Sequence, residues 1–352
     1  MENMVNNIYK KYLKNKKILI FGHSGFVGSW LALTLSSLES NVLGVSLKMP
    51  NQNYISNTKE FKKNLKTINC DIKNLDKIET KIIKFKPEII IHLASQPIVS
   101  EGFKDPLSTY ETNIIGTIKI LELSRKISAL KKILIFTSDK VYSNNDKKNL
   151  TEDSKLGGLD PYSASKSSQD LISQSYKFSF LDKKKIIILR SGNIFGGGDW
   201  ANNRIVPDIV RSHLHNKTLK IRSINSTRPW VHIFDVLNAM LLLLTKTNFK
   251  KNQNLIFNLS PKIKKQISVK KILKLVFIHT NIKELKIKSI KSNINEKKYL
   301  HISSKKALKE LGWTTKLELK NALNLTINFY LLNKNKIYGE AIKQIKDFFL
   351  LR

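Results

Sequence analysis

The stretch "KKILIFGHSGFVGSW", residues 16–30, decides how the rest of the chain is read. Its apolar run is continuous rather than alternating, and it stops at Gly22. Such a run marks a strand buried on both faces, as in a parallel sheet. Gly25 and Gly28 follow, just where a helix-like segment opens. At a strand–turn–helix junction Gly22 permits the tight turn and Gly25 lets backbone approach a pyrophosphate. Gly28 lets helix and strand pack closely, and free N–H groups at the helix start hold phosphate. The pattern predicts a dinucleotide site, with Phe26 and Val27 between the last two glycines belonging to it.

Working outward, the same unit recurs. Strand-like runs cover 17–22, 41–47, 65–71, 88–94, 132–138 and 185–191, with helix-like segments near 26–38, 74–85, 107–128 and 161–181. Alternation of this kind implies a parallel sheet covered by helices on both sides. The fold class expected is α/β, a doubly wound parallel Rossmann sheet with a smaller C-terminal substrate-binding lobe. Residues 1–191 form the dinucleotide domain, 232–260 return to it with a late strand near 254–260, and 192–352 mainly build the lobe. Ligands of such a sheet bind at the carboxyl ends of the strands. Leu93, Ala94 and Ser95 at the end of the fourth strand therefore join the cofactor site, as do Asp71 and Ile72 after the third.

The chain has 352 residues, 41% hydrophobic, with a formal net charge of +35. Its lysines are scattered among Asn and Ile rather than gathered on one stripe, so neither nucleic acid nor a membrane is the expected partner. A single cysteine, Cys70, excludes an internal disulfide and points to a reducing compartment, the cytoplasm. No apolar run is long enough to span a bilayer, and no His or Cys spacing suggests a metal.

Two strand-end features speak to cofactor choice. The acidic residue that would hold the adenosine ribose, about 20 residues after the glycines, is missing: the second strand ends Ser46-Leu47-Lys48. This leaves NAD and NADP both open. Asp71 is placed either to accept from an adenine amine or to cap a helix.

The catalytic signal comes from "TSDKVY" and "DPYSASKSSQD". Tyr162 and Lys166 lie four apart at a helix start and share a face. An ammonium beside a phenol lowers the phenol's pKa from about 10, which makes a base for proton transfer. Ser138, at the end of the fifth strand, supplies a third hydroxyl partner. These three suffice to oxidise a secondary alcohol beside a nicotinamide. Asp139 and Lys140 are then an additional acid and amine, suited to eliminating water next to a new ketone.

With "IIHLASQPIV", "TYETNIIGT", "RSGNIFGGGDWANNRIVPDIVR" and "RPWVHIFD" added, the chain resembles the extended short-chain dehydrogenase/reductase family, and within it the nucleotide-sugar 4,6-dehydratases. The likeness runs from Lys17 to about Leu244, and "GGGDWA" and "SDK" point to the branch acting on CDP-glucose. Most sister enzymes carry Asp-Glu where this chain has Asp139-Lys140. The resemblance implies NAD as cofactor, a homodimer formed through the helices near 107–128 and 161–181, and a place in polysaccharide biosynthesis. It implies that Tyr162 takes the O4 proton, Asp139 protonates the departing 6-hydroxyl and Lys140 inherits the role of C5 base. It places Asn193, Arg204 and Arg228 on the substrate diphosphate. His232, Asp235 and Asn113 are expected to order backbone, His23 to donate from the glycine loop, and His92 to be a satisfied core residue.

Overall fold

The computed structural model describes residues 2–49, 54–143, 149–250, 253–262, 267–282, 285–290 and 299–350. Six strands alternate with helices: β1 (Lys17–Phe21), β2 (Asn41–Ser46), β3 (Lys66–Asn69), β4 (Ile89–His92), β5 (Lys132–Phe136) and β6 (Lys185–Ser191). With the strand Ile256–Leu259 they form a parallel sheet of seven, in the order Ile256–Leu259, β6, β5, β4, β1, β2, β3. This is the α/β, doubly wound Rossmann sheet that the alternating runs predict.

The central position of β1 explains its unbroken apolar run. Ile18 and Ile20 face one core with Trp30, Leu237 and Leu241, while Leu19 and Phe21 face another with Ile82, Ile120 and Leu121. All four β1 residues are fully buried. Each such side chain contributes roughly 1.5–3 kcal/mol relative to exposure. The first face is covered by the helices Phe26–Ser37 and Ile233–Thr245, and by Glu2–Leu13 and Ile337–Ile345 at the two ends of the chain. The second is covered by Glu79–Phe85, Gly116–Arg125 and Pro161–Ser179.

Several boundaries differ from the sequence expectation. The segment near 74–85 splits into a 3-10 turn, Ile72–Lys77, itself kinked at Asn74, and the helix Glu79–Phe85, because Ile78 between them leaves helical geometry. The segment near 107–128 is Pro106–Tyr110, a π turn at Glu111–Ile115, and Gly116–Arg125. The π turn coincides with Asn113, whose side chain accepts from Gln96 N at 2.8 Å and donates to Ser165 Oγ at 2.9 Å. The helix Glu2–Leu13 was not expected; it docks through Leu13 and through Tyr9, which donates to Asn238 Oδ1 at 3.0 Å.

A third core, with Phe195, Ile209, Leu219, Trp230, Val276 and Ile327, holds together Ile205–Leu214, Val269–His279 and Leu319–Tyr330. This lobe is tied to the sheet end by a parallel pair, Asn193–Phe195 with Trp230–His232. Among the described residues no helix is long and apolar enough to cross a membrane.

Candidate active site

The strand ends and the lobe enclose a cavity of about 810 Å³. Its cofactor end is the glycine loop. Gly22 has φ +86°, and a Cβ there would lie 2.6 Å from Ala94 N. A Cβ on Gly28 would lie 2.0 Å from Gly22 O. Only glycine fits either position. The helix Phe26–Ser37 starts without a side-chain cap, so its first N–H groups are available to an anion where Gly25, Phe26, Val27 and Gly28 line the cavity.

Leu93, Ala94 and Ser95 line the same end, as do Asp71 and Ile72. Asp71 Oδ1 accepts from Lys73 N at 2.9 Å and starts the turn Ile72–Lys77. The capping role is thus formed by a residue that also lies on the cavity wall. Where an acidic residue would end β2, Ser46 Oγ sits 2.9 Å from His23 Nδ1 and donates to Ser24 Oγ at 2.7 Å. His23 is buried, and burial pushes its pKa down to about 4. It packs over Gly44, where a Cβ would come 2.3 Å from the ring.

At the reacting end, the helix Pro161–Ser179 is started by Asp160, which accepts from Ser163 N at 2.9 Å. One face of that helix brings Tyr162 and Lys166 to Ser138, Asp139 and Lys140, and all five line the cavity. Ser138 ends β5's extension and caps a 3-10 turn, accepting from Lys140 N at 3.2 Å. It donates to Asp139 Oδ1 at 3.1 Å and shares a hydrogen bond with the Tyr162 phenol. The polar strand end is therefore a local turn whose side chains are aimed at the helix start.

One expectation is corrected. The Tyr162 phenol is not lowered; burial pushes it up to about 12. The Ser138 hydrogen bond and the Arg204 charge pull it down, and the Asp139 charge pushes it up. Lys166 is likewise buried, which brings its amine down to about 7. Burial of two groups close together favours the neutral form of each, so the ammonium cannot act at full strength on the phenol.

The lobe supplies the far wall. Asn193, Arg204 and Arg228 all line the cavity. Arg204 Nη1 pairs with Asp199 Oδ2 at 2.9 Å. Arg228 is buried, and its Nη1 donates to Thr227 O at 2.8 Å. Arg211 and Arg222 also line the cavity and went unassigned in the sequence. Arg211 Nη1 donates to Trp200 O at 2.9 Å. It lies on the helix Ile205–Leu214, which Arg204 precedes as its extended N-cap residue. His232 and Asp235 order backbone as expected: His232 Nδ1 accepts from Phe234 N at 3.3 Å, and Asp235 Oδ1 from Lys316 N at 2.7 Å. His92 departs from the expectation of a satisfied core histidine, because its Nδ1 meets no hydrogen-bond partner among the described residues. Among those residues no group of three His, Cys, Asp or Glu is arranged to hold a metal.

Comparison with known proteins gives a consistent neighbourhood. A family model described as GDP-mannose 4,6 dehydratase matches residues 19–326. A CDP-glucose 4,6-dehydratase from Salmonella typhimurium is 30% identical over 358 residues, covering 97% of this chain and 98% of the relative. The crystal structure of a Bacillus cereus UDP-glucuronic acid 4-epimerase with UDP-glucuronic acid and NAD is similar with TM-score 0.79 at 24% identity, covering 94% of this chain and 99% of that one. A Bacillus anthracis dTDP-glucose 4,6-dehydratase structure with NAD is similar with TM-score 0.75 at 23% identity, covering 94% and 100%. At such identities the two structures bear on the fold alone.

Proposed function

This chain belongs to the GDP-mannose 4,6-dehydratase family, and we propose that it is a nucleotide-sugar 4,6-dehydratase that converts CDP-glucose to CDP-4-dehydro-6-deoxyglucose and water. The observation that carries the reading is the strand end Ser138-Asp139-Lys140 lying with Tyr162 and Lys166 on one cavity wall. A C4-epimerase has no use for an acid aimed at a 6-hydroxyl, and a non-catalytic dinucleotide sensor has no use for any of the five.

The glycine cradle, closed to any Cβ at Gly22 and Gly28, and the uncapped helix start fit NAD. Bound NAD supplies a hydride acceptor at the sugar C4 and a donor back to C6. In this reading Tyr162 Oη takes the O4 proton while Ser138 holds it in line. The resulting ketone acidifies the C5 proton, which Lys140 Nζ removes. Asp139 protonates the leaving 6-hydroxyl, and Lys140 returns its proton to C5. Substrate loses one water, and the cofactor ends unchanged.

The Asp139 charge raises the Tyr162 phenol. A protonated Asp139, the form required of an acid, removes that repulsion, so arming the acid also eases the work of the base. Arg204, Arg228 and Asn193 hold the diphosphate, where a guanidinium fork matches phosphate oxygens. The same reading assigns 1–191 with 232–260 to the cofactor and mainly 192–352 to the substrate. Leu107, Ile115, Leu171 and Phe178 are exposed on the two helical segments expected to dimerise, which supports a homodimer. The reading also makes the enzyme cytoplasmic and a contributor to polysaccharide biosynthesis.

The test is incubation with CDP-glucose and, in parallel, UDP-, GDP- and dTDP-glucose, without added reductant, followed by mass spectrometry. Loss of one water from CDP-glucose alone, with no net NADH, is the expected result. Water loss from a different nucleotide sugar would overturn the substrate. No mass change on any of them would overturn the reaction.

A further inference from the structure

Behind Lys166 on the cavity wall lies a chain of buried polar groups for which the reaction as described has no use. Lys166 Nζ donates to Gln169 Oε1 at 2.9 Å and to Phe136 O at 3.3 Å. The Gln169 amide nitrogen in turn reaches His92 Nε2 at 3.1 Å and Thr117 Oγ1 at 3.0 Å. The Thr117 hydroxyl spends its own hydrogen on Asn113 O at 2.7 Å, so its oxygen is left to accept. Gln169, His92 and Thr117 are each completely buried. Lys166 lines the cavity, and Gln169, His92 and Thr117 do not.

A primary amide has two N–H donors and one carbonyl acceptor. The Thr117 hydroxyl gives its hydrogen to Asn113 O, so its oxygen accepts from the Gln169 amide nitrogen, and this turns the Gln169 carbonyl toward Lys166. His92 Nε2 lies within hydrogen-bond distance of both the Gln169 amide nitrogen, at 3.1 Å, and Thr117 Oγ1, at 2.9 Å. Burial, with the Lys166 charge adding to it, brings His92 down to about 3, in keeping with a neutral ring. Its Nδ1 finds no partner among the described residues.

We propose that Gln169 is a positioning residue for the reaction: its side-chain carbonyl holds the Lys166 amine beside the reacting groups, and Thr117, with His92 packed against both, clamps its amide so that it cannot turn away. The inference rests on the proposed dehydratase reading for its purpose, though not for its geometry. The carbonyl stabilises the ammonium form of a lysine whose burial opposes it, so the clamp sets the fraction of Lys166 that is charged at working pH. His92 on β4 meets the charge of that amine, and Tyr162 on its own helix and Asp139 and Lys140 on the strand-end turn line the same cavity.

The experiment measures the Lys166 amine directly, by carbon NMR of lysine-labelled, ligand-free protein, with the resonance identified by its loss in Lys166→Met. Gln169→Glu, an isosteric change, is expected to raise that amine's titration by at least about one pH unit, since an opposite charge within hydrogen-bond distance favours the ammonium. Gln169→Leu is expected to lower it, and to reduce kcat with KM little changed, because Gln169 does not touch the cavity. Thr117→Val, which removes one clamp, is expected to move the titration in the direction of Gln169→Leu by a smaller amount. If Gln169→Glu and Thr117→Val both fold and both leave the titration where it was, the inference is overturned. Turnover failing on every nucleotide sugar while the titration moves as stated would sink the dehydratase reading and leave the clamp standing.

Discussion

Replacing Lys166 by Met should stabilise the ligand-free protein at pH 7, by an amount that shrinks as pH rises. Burial brings the amine from its ordinary 10.5 to about 7. Between those values the unfolded chain holds a proton that the folded protein does not, so stability rises with pH across that window and falls as pH drops to 7. At roughly 1.4 kcal/mol per pH unit, keeping the lysine costs about 4 kcal/mol at pH 7. At pH 9, where the folded amine is already neutral, the cost is about 2 kcal/mol. Methionine escapes both costs but loses the hydrogen bonds to Gln169 and Phe136 O, a loss of roughly 1–3 kcal/mol that is similar at either pH. The robust quantity is the change between the two conditions. Urea denaturation of Lys166→Met and the parent at pH 7 and pH 9 should show the variant's advantage shrinking by about 2 kcal/mol as pH rises. An advantage that is constant with pH, or that grows, would refute the reasoning and mean that the amine is not held near neutrality by burial.

Three further outcomes follow from the site and the core. Tyr162→Phe should cut water loss from the substrate by about 10²–10⁴-fold while NAD binding, followed by fluorescence titration, persists; unchanged turnover would exclude the phenol as base. Lys140→Met should stop exchange of the C5 proton with deuterated solvent while reduced cofactor accumulates on the enzyme, and continued exchange would assign the C5 base elsewhere. Arg190 pairs with Asp170 at 2.8 Å, and both are buried. Arg190→Met should therefore cost about 3–5 kcal/mol in urea, because it strands a buried carboxylate; a loss below about 1 kcal/mol would mean that the pair is solvated.

Part of this protein could be written down from residue order alone. Continuous apolar runs are buried on both faces, so "KILIF" and the runs of β4, β5 and β6 specified a parallel sheet without any knowledge of neighbours, whereas Lys66–Asn69, mostly exposed at the sheet edge, carries no such run. Gly22 and Gly28 were legible for a local reason, the positive φ of one and the approach of the other to Gly22 O, while the closeness of Gly22 to Ala94 exists only in the assembled sheet. Tyr162 and Lys166 were legible because a helix puts i and i+4 on one face. What residue order could not give was any quantity fixed by groups far apart in sequence. The phenol's high pKa and the amine's low one come from how deeply the lobe and sheet bury that helix face, and burial is a property of the assembled fold. The π turn at Glu111–Ile115 coincides with the hydrogen bonds that Asn113 makes to Gln96 and Ser165. His92 read as an ordinary core residue, and only its approach to Gln169 across 77 positions of chain gives it a task. Local sterics and periodicity can be read along a chain, whereas desolvation and hydrogen-bond closure exist only once the chain has met itself.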